Sequence, residues 1–296
     1  ILGVMLWMII AGGIKRIAKI ASKLVPIMAV IYFGGALVVV AENYQNIIPS
    51  FHSIFSQVFS GSAAAGGFLG ASFAMSLKLG VARGLYSNEA GQGSSPIAHA
   101  SAKAEHSVEQ GMVSILEPFI DTIVVCSVTA LVILSSGAWT QKYDNTFERS
   151  SMAIFEGSYA ENNSKDVEEL GKYILDARNF TSDTTNVENF TGSLDLIDGQ
   201  LQKQSVTVFH NNSIAEDVVF YQGAEPVSGL LEIADGKIAD SSIRVEGKSL
   251  IHSAELTSKA FGSGVLGIYG EYIVAIGLLL FAFSTAIAWS YYGDRS

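Results

Sequence analysis

Residues 83–94 read R-G-L-Y-S-N-E-A-G-Q-G-S. The runs on either side, 51–77 and 112–134, are apolar and long enough to cross a bilayer, which takes about 20 residues. Between them this stretch packs an arginine, a glutamate and three glycines. Charge at that density is costly in hydrocarbon, so the segment belongs at a membrane surface, joining two spans.

Upstream, 51–77 is interrupted by Gly61, Gly66, Gly67 and Gly70. Such a cluster either lets helices approach closely or marks an unwound segment. Before it, 24–41 forms the first complete span, with Pro26 near its helix start, and 42–50 is a short external turn. Residues 14–23 carry Lys15, Arg16, Lys19 and Lys23 among isoleucines. They form either a short amphipathic helix in the interface or a basic flanking loop. Residues 1–11 are too short to span and read as the tail of a helix ended by Gly12-Gly13. The cations before 24–41, with Lys78, Arg83 and Lys103 after 51–77, place both loops in the cytoplasm.

Downstream, 112–134 runs outward with Glu117 and Asp121 four residues apart on one face. Glu117 lies near the interface, where it can reach water. Asp121 is deeper and expects a donor on another helix. The last span, 272–289, returns inward. Its Ser284 and Thr285 either bond their own backbone or serve a site, and Trp289 is either an interfacial anchor or a functional side chain.

The charge is unevenly spread. Residues 143–262 hold nine basic and twenty acidic side chains, whereas the rest of the chain is close to neutral. An apolar frame, 1–139 and 256–296, thus carries an acidic insert, 140–255, which the span count places outside the cytoplasm. The insert reads as a small α+β, mostly β domain. It has an amphipathic helix at 165–179, strands at 205–209, 217–221, 230–233 and 243–245, and a hairpin turn at Asp235-Gly236. The chain starts at Ile1 within an apolar run and stops soon after the last span, which reads as a piece of a longer multi-pass protein of the plasma (inner) membrane.

Several chemistries are excluded. No phosphate-binding G-K-[ST] loop follows a strand, and no glycine-flanked serine forms a nucleophile elbow. His99 and His106 lack a third ligand at zinc spacing. Cys126 is the single cysteine, so no internal disulfide framework exists. The acidic balance gives no reason to expect a nucleic-acid partner. Nothing points to an enzyme or a bound cofactor.

The apolar frame resembles the alanine/glycine:cation symporter family. The resemblance rests on G-G-I-K-R-I-A-K at 12–19, K-L-V-P at 23–26, A-A-G-G-F at 64–68 and G-V-A-R-G-L-Y-S-N-E-A-G-Q-G-S at 80–94. It continues with P-I-A-H-A at 96–100, F-I-D-T at 119–122, L-L-F-A-F-S-T at 279–285 and W-S-Y-Y-G at 289–293. It covers about 1–139 and 256–294. The chain departs from the family pattern over about 140–250, where a typical member is expected to have only a short loop.

That resemblance implies an α-helical membrane protein of the leucine-transporter-like fold, with two inverted five-helix repeats. This chain would then supply the end of helix 4 and helices 5 to 8, without the helix 1 needed for a complete site. It further implies import of alanine or glycine, coupled to a sodium or proton gradient. Unwinding at Ala65, Gly66, Gly67 and Phe68 would free backbone groups to cradle the substrate. Thr285 and the carbonyl of Ala282 would hold half of a sodium site, with Ala286 where a second hydroxyl is expected. Trp289 would wall a small pocket. The Asn88-Glu89 loop would serve as a cytoplasmic gate or brace, with Arg83 and Glu89 as gating charges and Asp121 as a structural partner. Two other classes compete: a membrane receptor whose insert binds a ligand, and a channel with an external cap.

Overall fold

Two glycines set the first helix boundary. In the computed structural model, which describes residues 2–59, 64–65, 68–69, 73–177, 185–202 and 205–295, Gly13 takes φ +68° and separates α1 (Leu2–Ile10) from α2 (Gly13–Glu42). Eight further α-helices follow among the described residues. They are α3 (Ile47–Phe59), α4 (Phe73–Ser87), α5 (Ser94–Ala100), α6 (Ser107–Pro118), α7 (Cys126–Ser136), α8 (Ser164–Ala177), α9 (Ser253–Gly262) and α10 (Ile268–Arg295). Strands β1 (Ala64–Ala65) and β2 (Phe68–Leu69) lie between α3 and α4. The others fall between α7 and α9: β3 (Tyr143–Thr146), β4 (Met152–Glu156), β5 (Gly192–Ile197), β6 (Gln200–Leu201), β7 (Val206–His210), β8 (Ser213–Ile214), β9 (Glu216–Gln222), β10 (Glu225–Pro226), β11 (Gly229–Ala234), β12 (Lys237–Ile238) and β13 (Ile243–Ser249).

The chain divides into two compact units. The first holds Ile1–Ser50, Leu79–Ala138 and Ala254–Ser296; the second holds Phe51–Lys78 and Trp139–Ser253.

Among the described residues of the first unit, three helices are long and apolar enough to cross a membrane: Lys15–Glu42, Ser107–Ser136 and Ile268–Gly293. Only 22%, 11% and 17% of their apolar windows is buried. That much exposed apolar surface suits hydrocarbon or other helices and would be a liability in water. The basic stretch 14–23 is no separate interface helix. It continues unbroken into the span, which moves Pro26 from the start to the interior of α2. No residue between 14 and 25 breaks a helix, and the helix runs through Pro26 despite its lost backbone hydrogen bond and its ring's clash with the preceding turn.

Packing in this unit centres on Ala36, Val39, Val132, Ala138, Ala260, Phe261 and Val274, which join α2, α7, α9 and α10. Gly35 makes the approach of α2 to α10 possible, because a Cβ there would lie 3.0 Å from Ile273 Cδ1 and 3.2 Å from Phe261 Cε1. Polar ties reinforce it. Tyr32 Oη and Thr129 Oγ1 are 2.6 Å apart, and Asn46 Nδ2 donates to the Ser135 carbonyl at 2.8 Å. At the far end of α2, both Glu42 carboxylate oxygens accept the Val265 N–H at 3.0 Å.

The span expected at 112–134 starts earlier, at Ser107, and is not uniform. Residues Phe119–Val125 form a π-helical turn between α6 and α7, and the Cys126 N–H reaches back five residues to the Asp121 carbonyl. The widened turn follows Pro118, which cannot donate to the preceding turn.

Within the span expected at 51–77, the described residues are helical in α3 (Ile47–Phe59) and α4 (Phe73–Ser87). Between them Ala65 pairs with Phe68 in a short antiparallel bridge. Gly66 and Gly67 lie outside the described residues. Helix α4 then runs to Ser87, past Lys78 and Arg83, which were expected in a loop.

The rest of the second unit is, among the described residues, an antiparallel β domain with one α-helix, α8. Its sheets have the orders β10-β9-β13-β3, β12-β11-β5-β6 and β4-β7-β8. Phe147, Ile154, Leu194, Leu196, Phe220 and Val245 are among the side chains that fill its core. A second cluster seats Leu170 and Ile174 of α8 on Phe155 and Phe209. The turn Asp235-Gly236 has φ of +50° and +70° and makes the expected hairpin, but it joins β11 to β12, a strand that was not among those expected.

Candidate functional site

The end of α4 explains the local geometry of the 83–94 stretch. The Ala90 N–H bonds the Leu85 carbonyl at 2.9 Å and the Glu89 N–H bonds the Tyr86 carbonyl at 3.2 Å. That 6→1 and 5→2 pair is a Schellman cap, whose left-handed position falls on Glu89 at φ +50°. Glycine is the usual occupant there, and a side chain costs about 1 kcal/mol. Gly91 and Gly93, at φ +78° and +77°, supply the remaining left-handed turns before α5.

The loop is fastened at two places. Towards the π-helical turn, Ser87 Oγ donates to Asp121 Oδ2, and Asn88 Nδ2 donates to Thr122 Oγ1 at 2.8 Å. The same Asn88 amide also donates to the Gly84 carbonyl at 2.8 Å. Asn88 Oδ1 is buried with no hydrogen-bond partner among the described residues. Towards α10, the Glu89 carboxylate receives two donors: Trp289 Nε1 to Oε1 at 3.1 Å, and Ser94 Oγ to Oε2. Ser94 is buried at the start of α5. The Trp289 ring stands edge-on to Tyr292 at 6.1 Å between centroids.

A smaller cluster lies beside it. His99 Nε2 is 3.7 Å from Glu117 Oε2, and Gln110 Nε2 is 2.6 Å from His99 Nδ1. These side chains link α5 to α6 next to a cleft of about 570 Å³.

The residues singled out in the sequence therefore fall into groups. Asn88, Glu89, Asp121 and Trp289 fall in the two ties that fasten the loop in the first unit, Asn88 and Asp121 in one and Glu89 and Trp289 in the other. Arg83 is exposed on α4 and makes no ion pair with Glu89, whose oxygens are taken by Trp289 and Ser94. Ala282 and Thr285 lie on exposed positions of α10, and the neighbouring Ser284 Oγ bonds its own helix at the Phe281 carbonyl, 2.9 Å away. Ala65 and Phe68 belong to the second unit. Sequence reasoning did not find Ser87, Ser94 and Thr122. One signal was present: the adjacent polar pairs Ser87-Asn88 and Asp121-Thr122 meet as pairs.

Comparison with known proteins adds the family. The model of the sodium:alanine symporter family matches residues 1–162 and 238–296. Only 163–237 lacks a family counterpart, a shorter departure than the 140–250 expected. YflA, an uncharacterized transporter of Bacillus subtilis, is 46% identical over 135 residues, 46% of this chain and 29% of that protein. The sodium/alanine symporter AgcS of Methanococcus maripaludis is 47% identical over 129 residues, 44% of this chain and 28% of its own length. The probable sodium/glutamine symporter GlnT of Bacillus subtilis is 44% identical over 131 residues, 44% of this chain and 27% of its own. The chain thus spans less than a third of each of these relatives. No solved structure matches it. A family match over both parts of the apolar frame, covering the fastened loop and α10, means that the chain belongs to the sodium:alanine symporter family.

Proposed function

We propose that the protein is a cation-coupled symporter that carries alanine, glycine or another small neutral amino acid inward with sodium, by alternating access. The observation that carries this reading is the family match, which includes the whole 83–94 stretch and the α10 segment bearing Thr285 and Trp289. Relatives named for alanine and for glutamine support an amino-acid cargo and leave its size to the pocket.

The fold proposed is leucine-transporter-like. In it, the break between α3 and α4 is the unwound segment of one pathway helix, and freed backbone groups at 65–68 bind the amino and carboxylate ends of the substrate. The Thr285 hydroxyl and the Ala282 carbonyl on α10 offer the hard oxygen ligands that a small cation takes. Their exposure suits a half-site that other helices complete. The insert lies outside the cytoplasm, and the protein resides in the plasma (inner) membrane as a transporter rather than an enzyme.

The test is uptake of labelled alanine by the full-length protein in proteoliposomes, with and without an inward sodium gradient. Sodium-driven uptake is expected, and Thr285→Ala is expected to raise the sodium concentration for half-maximal rate by tenfold or more, the scale of a lost charge-assisted contact. Uptake driven equally well by protons alone would overturn the sodium assignment. Absence of uptake under either gradient would overturn the symporter.

A further inference from the structure

We propose that Glu89 is a positioning residue for Trp289. Its carboxylate fixes the indole that walls the amino-acid pocket, and so limits the size of side chain the transporter accepts. The inference rests on the symporter reading above and adds a residue and a role to it.

Three features carry it. First, an indole N–H can only donate, and Glu89 Oε1 receives it at 3.1 Å. This bond spans 200 positions of sequence, so it ties α10 to the loop and not to its own helix. Second, Glu89 is held without help from Trp289. Its other oxygen accepts from Ser94 Oγ, and Ser94 is only 4% exposed. The flanking Asn88 and Ser87 are tied to Thr122 and Asp121. The carboxylate is thus a fixed post, and the indole is what it restrains. Third, Glu89 occupies a left-handed position that glycine would fill without strain. The chain bears that strain while keeping a side chain whose two acceptor oxygens are both used.

Trp289 is 47% exposed, with Tyr292 against one edge of its ring. Without the carboxylate the indole N–H loses its acceptor, and the half-exposed ring is freer to turn away from the pocket. A positioning role therefore predicts a change in substrate preference, whereas a purely structural role predicts a common loss for every substrate.

The experiment uses the full-length transporter in proteoliposomes, with labelled alanine and labelled leucine as probes. Glu89→Ala is expected to raise the alanine KM about tenfold, with a smaller effect on the maximal rate, and to narrow the preference for alanine over leucine. Glu89→Gln keeps one oxygen for the indole and is expected to recover most of the loss. In a Trp289→Phe background, Glu89→Ala should add less than twofold, since no N–H remains to be held. Additive effects, or an equal loss of rate for both substrates with KM unchanged, would overturn the proposal. A second measurement stands apart from transport: acrylamide quenching of the Trp289 emission, isolated by difference from Trp289→Phe. It should increase in Glu89→Ala, and unchanged quenching would overturn the positioning role whatever the uptake. A wild-type protein that carries no amino acid, with quenching that does respond, would overturn the symporter reading and the pocket role but leave the Glu89–Trp289 coupling standing.

Discussion

His210 is one of the largest side chains fully enclosed in the β domain, at 2% exposure. Its ring stacks on Phe147 at 4.3 Å between centroids, and Nδ1 lies 2.7 Å from Ser249 Oγ. Its Nε2 has no partner among the described residues. Burial first, and the nearby His252 second, press its pKa from 6.5 down to about 4. The folded value lies below the unfolded one, so between those two pH values the unfolded chain holds the extra proton. The stabilisation is complete above 6.5, falls as the pH drops towards 4 and changes no further below it; it is on the order of a few kcal/mol. The unfolding midpoint of the β domain, followed by hydrogen exchange in the full-length protein, should therefore fall over that window. His210→Phe should flatten the fall, since it keeps the stack on Phe147 and leaves Ser249 with Asn145, 3.0 Å away. An unchanged pH profile in the variant would show that other groups carry the dependence.

At the scale of elements, the contact of α2 with α10 depends on one of two adjacent glycines. Gly35 is buried against Ile273 and Phe261, whereas a Cβ on Gly34 would meet nothing within 4 Å. Gly35→Leu should cost about 1–3 kcal/mol through overpacking. Gly34→Ala should be neutral, or stabilising by up to about 1 kcal/mol from helix propensity. Thermal unfolding of the detergent-solubilised protein compares the two directly, and equal effects would place the helix contact elsewhere. The pair also shows what the sequence could reveal. Hydropathy locates a span, because some 20 apolar residues are needed to cross a bilayer, but the facing side depends on a partner more than 200 positions away. The same limit applies to helix ends. The start of α6 at Ser107 is polar and escaped an apolar count, and the basic turn before Leu24 was separated from α2 although nothing in it breaks a helix. Strands β7, β9, β11 and β13 were legible because alternation and an Asp-Gly turn are local signals, whereas β3, β4 and β5 were not expected. Asp121 and Glu89 stood out as carboxylates beside apolar spans. Their donors Ser87 and Ser94 did not, because such side chains are ordinary anywhere and acquire a role only through tertiary contact; Trp289 was singled out as a pocket wall, but its bond to Glu89 was not.

At the scale of the whole molecule, the β domain enters and leaves through one pair of strands. Tyr143 of β3 is the register partner of Ser249 of β13, so the two connections to the helical frame lie side by side, about 5 Å apart. A domain with adjacent ends and its own core can be inserted into a loop without reorganising the host. Its core is closed within the domain, with Phe147, Leu194 and Val245 in one cluster and Phe155 and Leu170 in the other. One tie complicates removal: β1 and β2, from the break in the preceding apolar segment, lie beside α8 in the same unit. Two outcomes therefore separate a passenger from a working part. If the domain is autonomous, residues 139–253 expressed alone should unfold in one cooperative transition. The full-length protein with a short Gly-Ser turn joining Asp144 to Lys248 should then retain the proposed alanine uptake within a few-fold. If instead α8 holds the 64–69 segment in place for function, the excised domain should still fold, but the shortened transporter should lose uptake while remaining stable in the membrane. The second result would make the acidic domain a part of the proposed transport cycle, acting through the break between α3 and α4.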